Sequence, residues 1–217
     1  MEHAPSTPSA CAGSPVDNRV ASADTRATAT QGSTATPRVA LVTGAGKRLG
    51  RAIALALAQD GWDIGVHCRD SVAEAKQTVE EIRALGRRAV VLQADLDDAA
   101  QCQTLVPRLA DSLGPVSGLV NSASRFEYDD IRSFTPESLQ QHLVPNLMAP
   151  LLLAQSLASQ LPAAPVQGVI VNLLDQKLFN LNPDFLSYTL SKAALSAATT
   201  MLAQTLAPRM RVVGVAP

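Results

Sequence analysis

The chain has 217 residues, 47% of them hydrophobic and 17% charged, with a formal net charge of -1, which is enough for one sizeable α/β core. No basic run or aromatic-interleaved basic stripe points to nucleic acid, and no apolar stretch reaches the roughly 18 residues of a membrane span. Cys11, Cys68 and Cys102 lack metal-like or disulfide-framework spacing and read as reduced thiols of a cytoplasmic protein.

Residues 1–37 are rich in Ala, Ser, Thr and Pro and carry no periodicity, so they read as a disordered extension. No apolar core of a secretory signal is present, and Glu2, Asp17 and Asp24 weaken a transit-peptide reading. An ordered domain is expected over 38–217. Val39–Val42 reads as a strand, followed by a glycine turn, Thr43 to Gly50, and a helix over Arg51–Gln59 that stops at Gly61. Trp62–His67 is a second strand. Ser71 and Glu74 form an expected capping box for a helix ending near Gly86. Ala89–Gln93 is a third strand, and Asp98–Leu113 a helix with Pro107 awkwardly inside it. Val116–Val120 is the fourth strand. Thr135 caps the next helix with Pro136 in its first turn, and residues 146–161 continue helically. Val169–Leu174, a helix over Ser187–Leu206 and Arg211–Ala216 complete the pattern. Strands alternating with helices predict a doubly wound parallel sheet, a Rossmann-type α/β fold. Ligands of such sheets sit beyond the carboxyl ends of the strands.

Two motifs carry chemistry. Glycines between a strand and a helix let backbone amides approach a pyrophosphate, although an ordinary β-α turn has the same residues. Tyr188 and Lys192 stand four residues apart, on one face of a helix. An ammonium beside a phenol favours phenolate, so the Tyr188 pKa is expected to fall. The second strand ends His67-Cys68-Arg69-Asp70-Ser71. With no acid at Cys68, Arg69, Arg48 and Ser71 make a clamp for the 2′-phosphate of NADPH, while Asp70 argues against it. Arg69 as a solvated loop charge is the alternative. Asp95 reads either as an acceptor for an adenine amine or as a helix cap. The small residues Asn121-Ser122-Ala123-Ser124 suit a flat cofactor or a plain turn.

Taken together these residues resemble the short-chain dehydrogenase/reductase family over about 38–217. Its T-G-x-x-x-G-x-G matches Thr43, Gly44 and Gly50, with Arg48 replacing the middle glycine. Its N-N-A-G matches Asn121 to Ser124, its catalytic Asn matches Asn146, and its Y-x-x-x-K matches Tyr188 and Lys192. The usual Ser thirteen residues before the Tyr is Asp175 here. That departure, the T-G-A-x-K-R-L-G turn and Phe126 just after the fourth-strand motif look like the pteridine reductase and dihydromonapterin reductase branch. The resemblance implies NADPH held by Gly44, Lys47, Arg48, Leu49, Gly50, Arg69, Ser71, Asp95, Leu96, Asn121, Ala123, Ser124, Tyr188 and Lys192. It also implies catalysis by Tyr188, Lys192, Asp175 and Asn146, the last through a water leading to Lys192. A pterin would lie against Phe126, Asp175 and Tyr188, and the assembly would be a homotetramer. Phe126 as a core anchor and Asp175 as a cap or ion-pair partner are the bland readings. Another carbonyl, such as a 3-oxoacyl thioester or a sugar ketone, or a non-catalytic dinucleotide-binding protein, are the alternatives. Family members usually continue past Pro217 with a substrate loop and a further strand, so the reading is of a sheet truncated after its sixth strand.

Overall fold

Short apolar runs bounded by turns give β1 (Arg38–Val42), β2 (Trp62–Cys68), β3 (Ala89–Gln93), β4 (Val116–Asn121), β5 (Gly168–Leu173) and β6 (Met210–Val215). In the computed structural model, which describes residues 38–161 and 167–217, they pair in parallel in the order β3-β2-β1-β4-β5-β6. The extension expected over 1–37 lies outside the described residues. The helices are α1 (Arg48–Gln59), α2 (Val72–Ala84), α3 (Ala99–Leu113), α4 (Pro136–Leu143), α5 (Ala149–Gln160) and α6 (Leu186–Leu206). The sheet is thus doubly wound, as the alternation of strands and helices predicts.

Both faces of the sheet are covered, and strand residues alternate between them. Val39, Leu41, Leu119 and Ile170 pack on the side of α3 and α5, with Leu105, Leu109, Leu153 and Leu157. Ala40, Val42, Ile64 and Val66 pack on the side of α1 and α2, with Ala54, Ala58, Val79 and Ile82. Pro107 sits inside α3 without ending it; four buried apolar residues around it, Cys102, Leu105, Val106 and Leu109, hold that helix by tertiary packing, which overrides propensity. At the amino end of β2 the buried Asp63 takes Arg87 at 2.8 Å and Arg88 at 2.8 Å, so its charge is paired.

One helix start differs from expectation. Ser71 makes no side-chain cap of α2. Its hydroxyl instead faces Gly46, where an added Cβ would come within 2.9 Å of it, and Glu74 pairs with Lys47 at 2.7 Å. The expected capping box is therefore replaced by contacts to the glycine turn. The helical run expected over 146–161 is present, as a π-helical turn, Val144–Met148, running into α5. Thr135 caps α4 as expected, with Ser138 bonding back to it.

Register brings the chemistry to one level. Val42 pairs with Val66 and with Val120, and Asn121 pairs with Asn172. Thr43, His67 and Asn121 therefore stand side by side at the carboxyl edge. The strand order turns back between β1 and β4, which is where an open α/β sheet leaves its crevice.

Candidate functional site

A cleft of about 890 Å³ runs along that edge, lined by the glycine turn, the tips of β2 and β3, the segment after β4, the segment after β5, and the first turns of α6. Gly44 (φ 64°) needs the left-handed region, and a Cβ there would stand 3.0 Å from Ala123 Cα. At Gly50 a Cβ would run into the Gly44 carbonyl. A side chain is blocked at Gly50, and at Gly44 it would be both crowded and strained. Arg48, where the family pattern has glycine, also takes positive φ, 51°. A non-glycine residue there is strained, and its exposed guanidinium has no ion-pair partner among the described residues.

Most of the expected cofactor residues meet on this wall. Gly44, Lys47, Arg48, Leu49, Gly50, Arg69, Ser71, Asp95, Leu96, Ala123, Ser124, Tyr188 and Lys192 all line the cleft. Asn121 does not: it is buried below, donating through Nδ2 to Asn172 Oδ1 at 2.8 Å. Asn172 in turn donates to Thr199 Oγ1 at 2.9 Å, a polar ladder from β4 through β5 to α6. Arg69 is half exposed and shared with acids, Asp70 at 2.8 Å and Asp97 at 3.9 Å. A phosphate drawn to Arg69 therefore competes with two carboxylates. Asp95 is not a helix cap; Asp98 caps α3, accepting from Ala100 and Gln101 amides. That leaves one Asp95 oxygen bonded to the Asp97 amide at 3.0 Å.

Deeper in the cleft, Tyr188 donates its hydroxyl to Asp175 Oδ2 at 2.6 Å. Asp175 also caps a 3-10 turn, Gln176–Phe179, accepting from Lys177 N–H at 2.8 Å. Each carboxylate oxygen thus has its own partner, Oδ1 the turn it caps and Oδ2 the Tyr188 hydroxyl. Lys192 is buried and donates to the Leu173 carbonyl at 2.7 Å. The expectation of a depressed Tyr188 pKa is corrected. Burial first, and the Asp175 hydrogen bond and charge next, push the phenol well above its ordinary value, with the Ser124 hydroxyl acting the other way. Burial pulls Lys192 down to about 8, against Asp175. A desolvated phenol facing a carboxylate stays protonated.

Asn146 lies within the π-helical turn, buried and off the cleft wall. Its Oδ1 accepts from Arg125 N–H (2.8 Å) and Ser124 Oγ (3.1 Å); its Nδ2 donates to the Arg125 carbonyl (3.0 Å) and Ser191 Oγ (2.9 Å). The side-chain amide is fully used, clamping the segment after β4 to α6.

Phe126 is not a core anchor. It is 55% exposed, stacked on Phe185 with centroids 4.4 Å apart and edge-on to Tyr188 at 4.7 Å. Tyr128 meets Phe185 edge-on at 5.3 Å. Of the four Phe and two Tyr in the chain, four rings therefore form one cluster, of which Phe126 and Tyr188 line the cleft.

The short chain dehydrogenase family model matches residues 38–217. The chain belongs to the short chain dehydrogenase family. It is similar to an uncharacterized oxidoreductase of Methylorubrum extorquens, 36% identical over 79% of this chain and 68% of that protein. It is also similar to the 2-dehydro-3-deoxy-D-gluconate 5-dehydrogenase of Dickeya dadantii, 32% identical over 76% of this chain and 64% of that protein. The chain thus spans about two thirds of the length of these relatives. Among solved structures it resembles FolM alternative dihydrofolate reductase 1 from Brucella suis in complex with NADP. That match has a TM-score of 0.79 and 40% identity over 83% of this chain and 74% of that one.

Within this short chain dehydrogenase, sequence reasoning missed His67 and Phe185. His67 Nδ1 accepts from Gly44 N–H at 3.1 Å and its Nε2–H donates to the Ala94 carbonyl at 3.1 Å. One neutral ring so fastens the glycine turn to β3. A lone histidine ending an apolar strand was the available signal. Phe185 carried a signal too: in a chain with 3% aromatics it stands three residues before Tyr188.

Proposed function

We propose that the chain reduces a C=N bond of a pterin, of dihydropterin or dihydrofolate type, with NADPH. The observation that carries this reading is the Tyr188–Asp175 hydrogen bond beside an exposed Phe126 ring. The likeness to a dihydrofolate reductase crystallised with NADP supports it. The residues present fit the cofactor: two glycines allow close backbone approach, and Arg48 and Arg69 supply cations on the cleft wall. Bound NADPH supplies the hydride that the ring carbon accepts. Gly44 and Gly50 would let the turn approach the pyrophosphate, and Arg69 with Arg48 would hold the 2′-phosphate.

Tyr188 holds a proton at its hydroxyl because burial and Asp175 disfavour phenolate. It delivers that proton to the ring nitrogen. Lys192, one helical turn on, places its charge 5.7 Å from the phenol ring centroid and stabilises the phenolate left behind. Asp175 accepts from N–H groups of the heterocycle, a role a serine fills poorly. Phe126 offers a flat face for the ring.

A second reading, reduction of a sugar-acid ketone, draws on the likeness to the 2-dehydro-3-deoxy-D-gluconate 5-dehydrogenase. In that reading Tyr188 protonates an oxygen, and a carboxylate at position 175 has no N–H to receive. NADPH oxidation with dihydropterin, dihydrofolate and the sugar-acid ketone separates the two. Dihydropterin turnover that falls far more than NADPH affinity in Asp175→Ser supports the pterin reading. Good ketone turnover with no pterin turnover rejects it.

A further inference from the structure

Helix α6 begins without a cap of its own. Phe185 precedes it in the left-handed region, φ 58°, and no side chain caps from that position. The first amides are met from a distant segment instead. Leu186 N–H donates to the Asp129 carbonyl at 3.1 Å, and Ser187 N–H to Asp129 Oδ1 at 2.9 Å. Asp129 Oδ2 accepts the Ser187 hydroxyl and, at 3.0 Å, the Ser138 hydroxyl. The residue is 3% exposed. Burial acts to raise its pKa, but the bonds from Ser187 and Ser138 outweigh burial and hold it below the ordinary value. A buried anion survives where donors and a favourable field offset its desolvation. The open amides and positive dipole end of a 21-residue helix provide both.

The junction bears directly on the site. Ser187 is the neighbour of Tyr188, and Asp129 lies on the same segment as Phe126. One carboxylate therefore ties the first turn of the helix that bears the hydroxyl to the segment that bears the aromatic wall. We infer that Asp129 is a positioning residue for Tyr188, a cap supplied from across the site that sets the phenol against Phe126 and Asp175. The inference rests on Tyr188 being the proton donor.

The test uses the full chain, with NADPH and whichever of a dihydropterin or a sugar-acid ketone it reduces faster. In Asp129→Ala, kcat is expected to fall roughly 10- to 100-fold, the scale of a misplaced reacting group, with the NADPH dissociation constant unchanged. Asp129→Asn keeps an acceptor oxygen for Ser187 N–H and is expected to restore most of kcat, while the unchanged NADPH dissociation constant of Asp129→Ala separates misplacement of Tyr188 from loss of folding. Unchanged kcat in Asp129→Ala, a parallel loss of kcat and NADPH affinity, or no rescue by Asn overturns the inference. Should Asp129→Ala fail to fold, Ser187→Ala decides: a lower kcat at unchanged NADPH affinity supports the inference, and an unchanged kcat rejects it. Tyr188→Phe is measured alongside. If it stays active, the proton-donor reading fails; if it is dead while Asp129→Ala is fully active, only the positioning role fails.

Discussion

The two halves of the cleft are built in different ways. On the side of β1, β2 and β3 a glycine turn and the small residues after β4 press backbone against backbone at Gly44 and Gly50, with charged side chains such as Arg48, Arg69 and Asp95 standing around them. On the side of β5 and α6 the wall is side chain: Asp175 on Tyr188, Lys192 on the Leu173 carbonyl, and Phe126 on Phe185. In the reading proposed above, the first half holds the cofactor and the second half the substrate. The glycine turn depends on local conformation, whereas the second half depends on residues brought together from separate segments.

The sharpest way to break this comparison is Tyr188→Phe. If the halves are independent, kcat falls about 10²- to 10⁴-fold, the usual worth of a positioned acid, while NADPH binds as before. Fluorescence titration with NADPH beside steady-state turnover checks both at once. On the other side, Arg69→Ala is expected to weaken NADPH by about 1.5–3 kcal/mol, the loss of a charged hydrogen bond, and to leave NADH binding unchanged. Asp70→Asn, which frees Arg69 from its partner at 2.8 Å, is expected to tighten NADPH in the same titration. Equal effects on the two cofactors in Arg69→Ala place this cation away from the 2′-phosphate.

The pH profile sharpens the substrate half. Lys192 titrates at about 8 because burial disfavours its charge, whereas the Tyr188 phenol is held protonated. Turnover is therefore expected to decline as pH rises through about 8, and Lys192→Arg, which stays charged, to move that inflection upward. An inflection unchanged by the substitution assigns it to another group. The smallest effect belongs to the glycine turn: Arg48→Gly relieves a left-handed residue and is expected to raise stability by about 1 kcal/mol or less, measured by urea unfolding, while weakening NADPH.

The same division explains what was legible in the chain. The strand and helix alternation, the turn and the Tyr188–Lys192 face are local patterns, and each stands where its periodicity or spacing places it. The place of Asp175 beside Tyr188 was signalled by its thirteen-residue offset and a likeness to known proteins, and the structure puts the two in contact. Three features were not legible. The raised Tyr188 pKa depends on burial and on which way Asp175 points, and an i, i+4 lysine does not reveal either. Ser71 keeps its position just before a helix, but its hydroxyl faces Gly46, twenty-five residues earlier, rather than the helix's own amides. Asn121 matches a motif by letter, yet its amide belongs to Asn172 on the neighbouring strand.

His67 gives the fold a thermodynamic linkage to acid. Its ring serves both Gly44 N–H and the Ala94 carbonyl only while neutral, and burial lowers its pKa from 6.5 to about 4. Between those values the unfolded chain binds a proton that the folded chain refuses. Acidification across that interval therefore draws the population toward the unfolded chain by about 1.4 kcal/mol for each pH unit. His67→Asn, which offers one acceptor and one donor without a proton to gain, flattens that part of the unfolding-against-pH curve. The clasp that holds the turn shut at neutral pH is the same group through which protons, by mass action, pull it open.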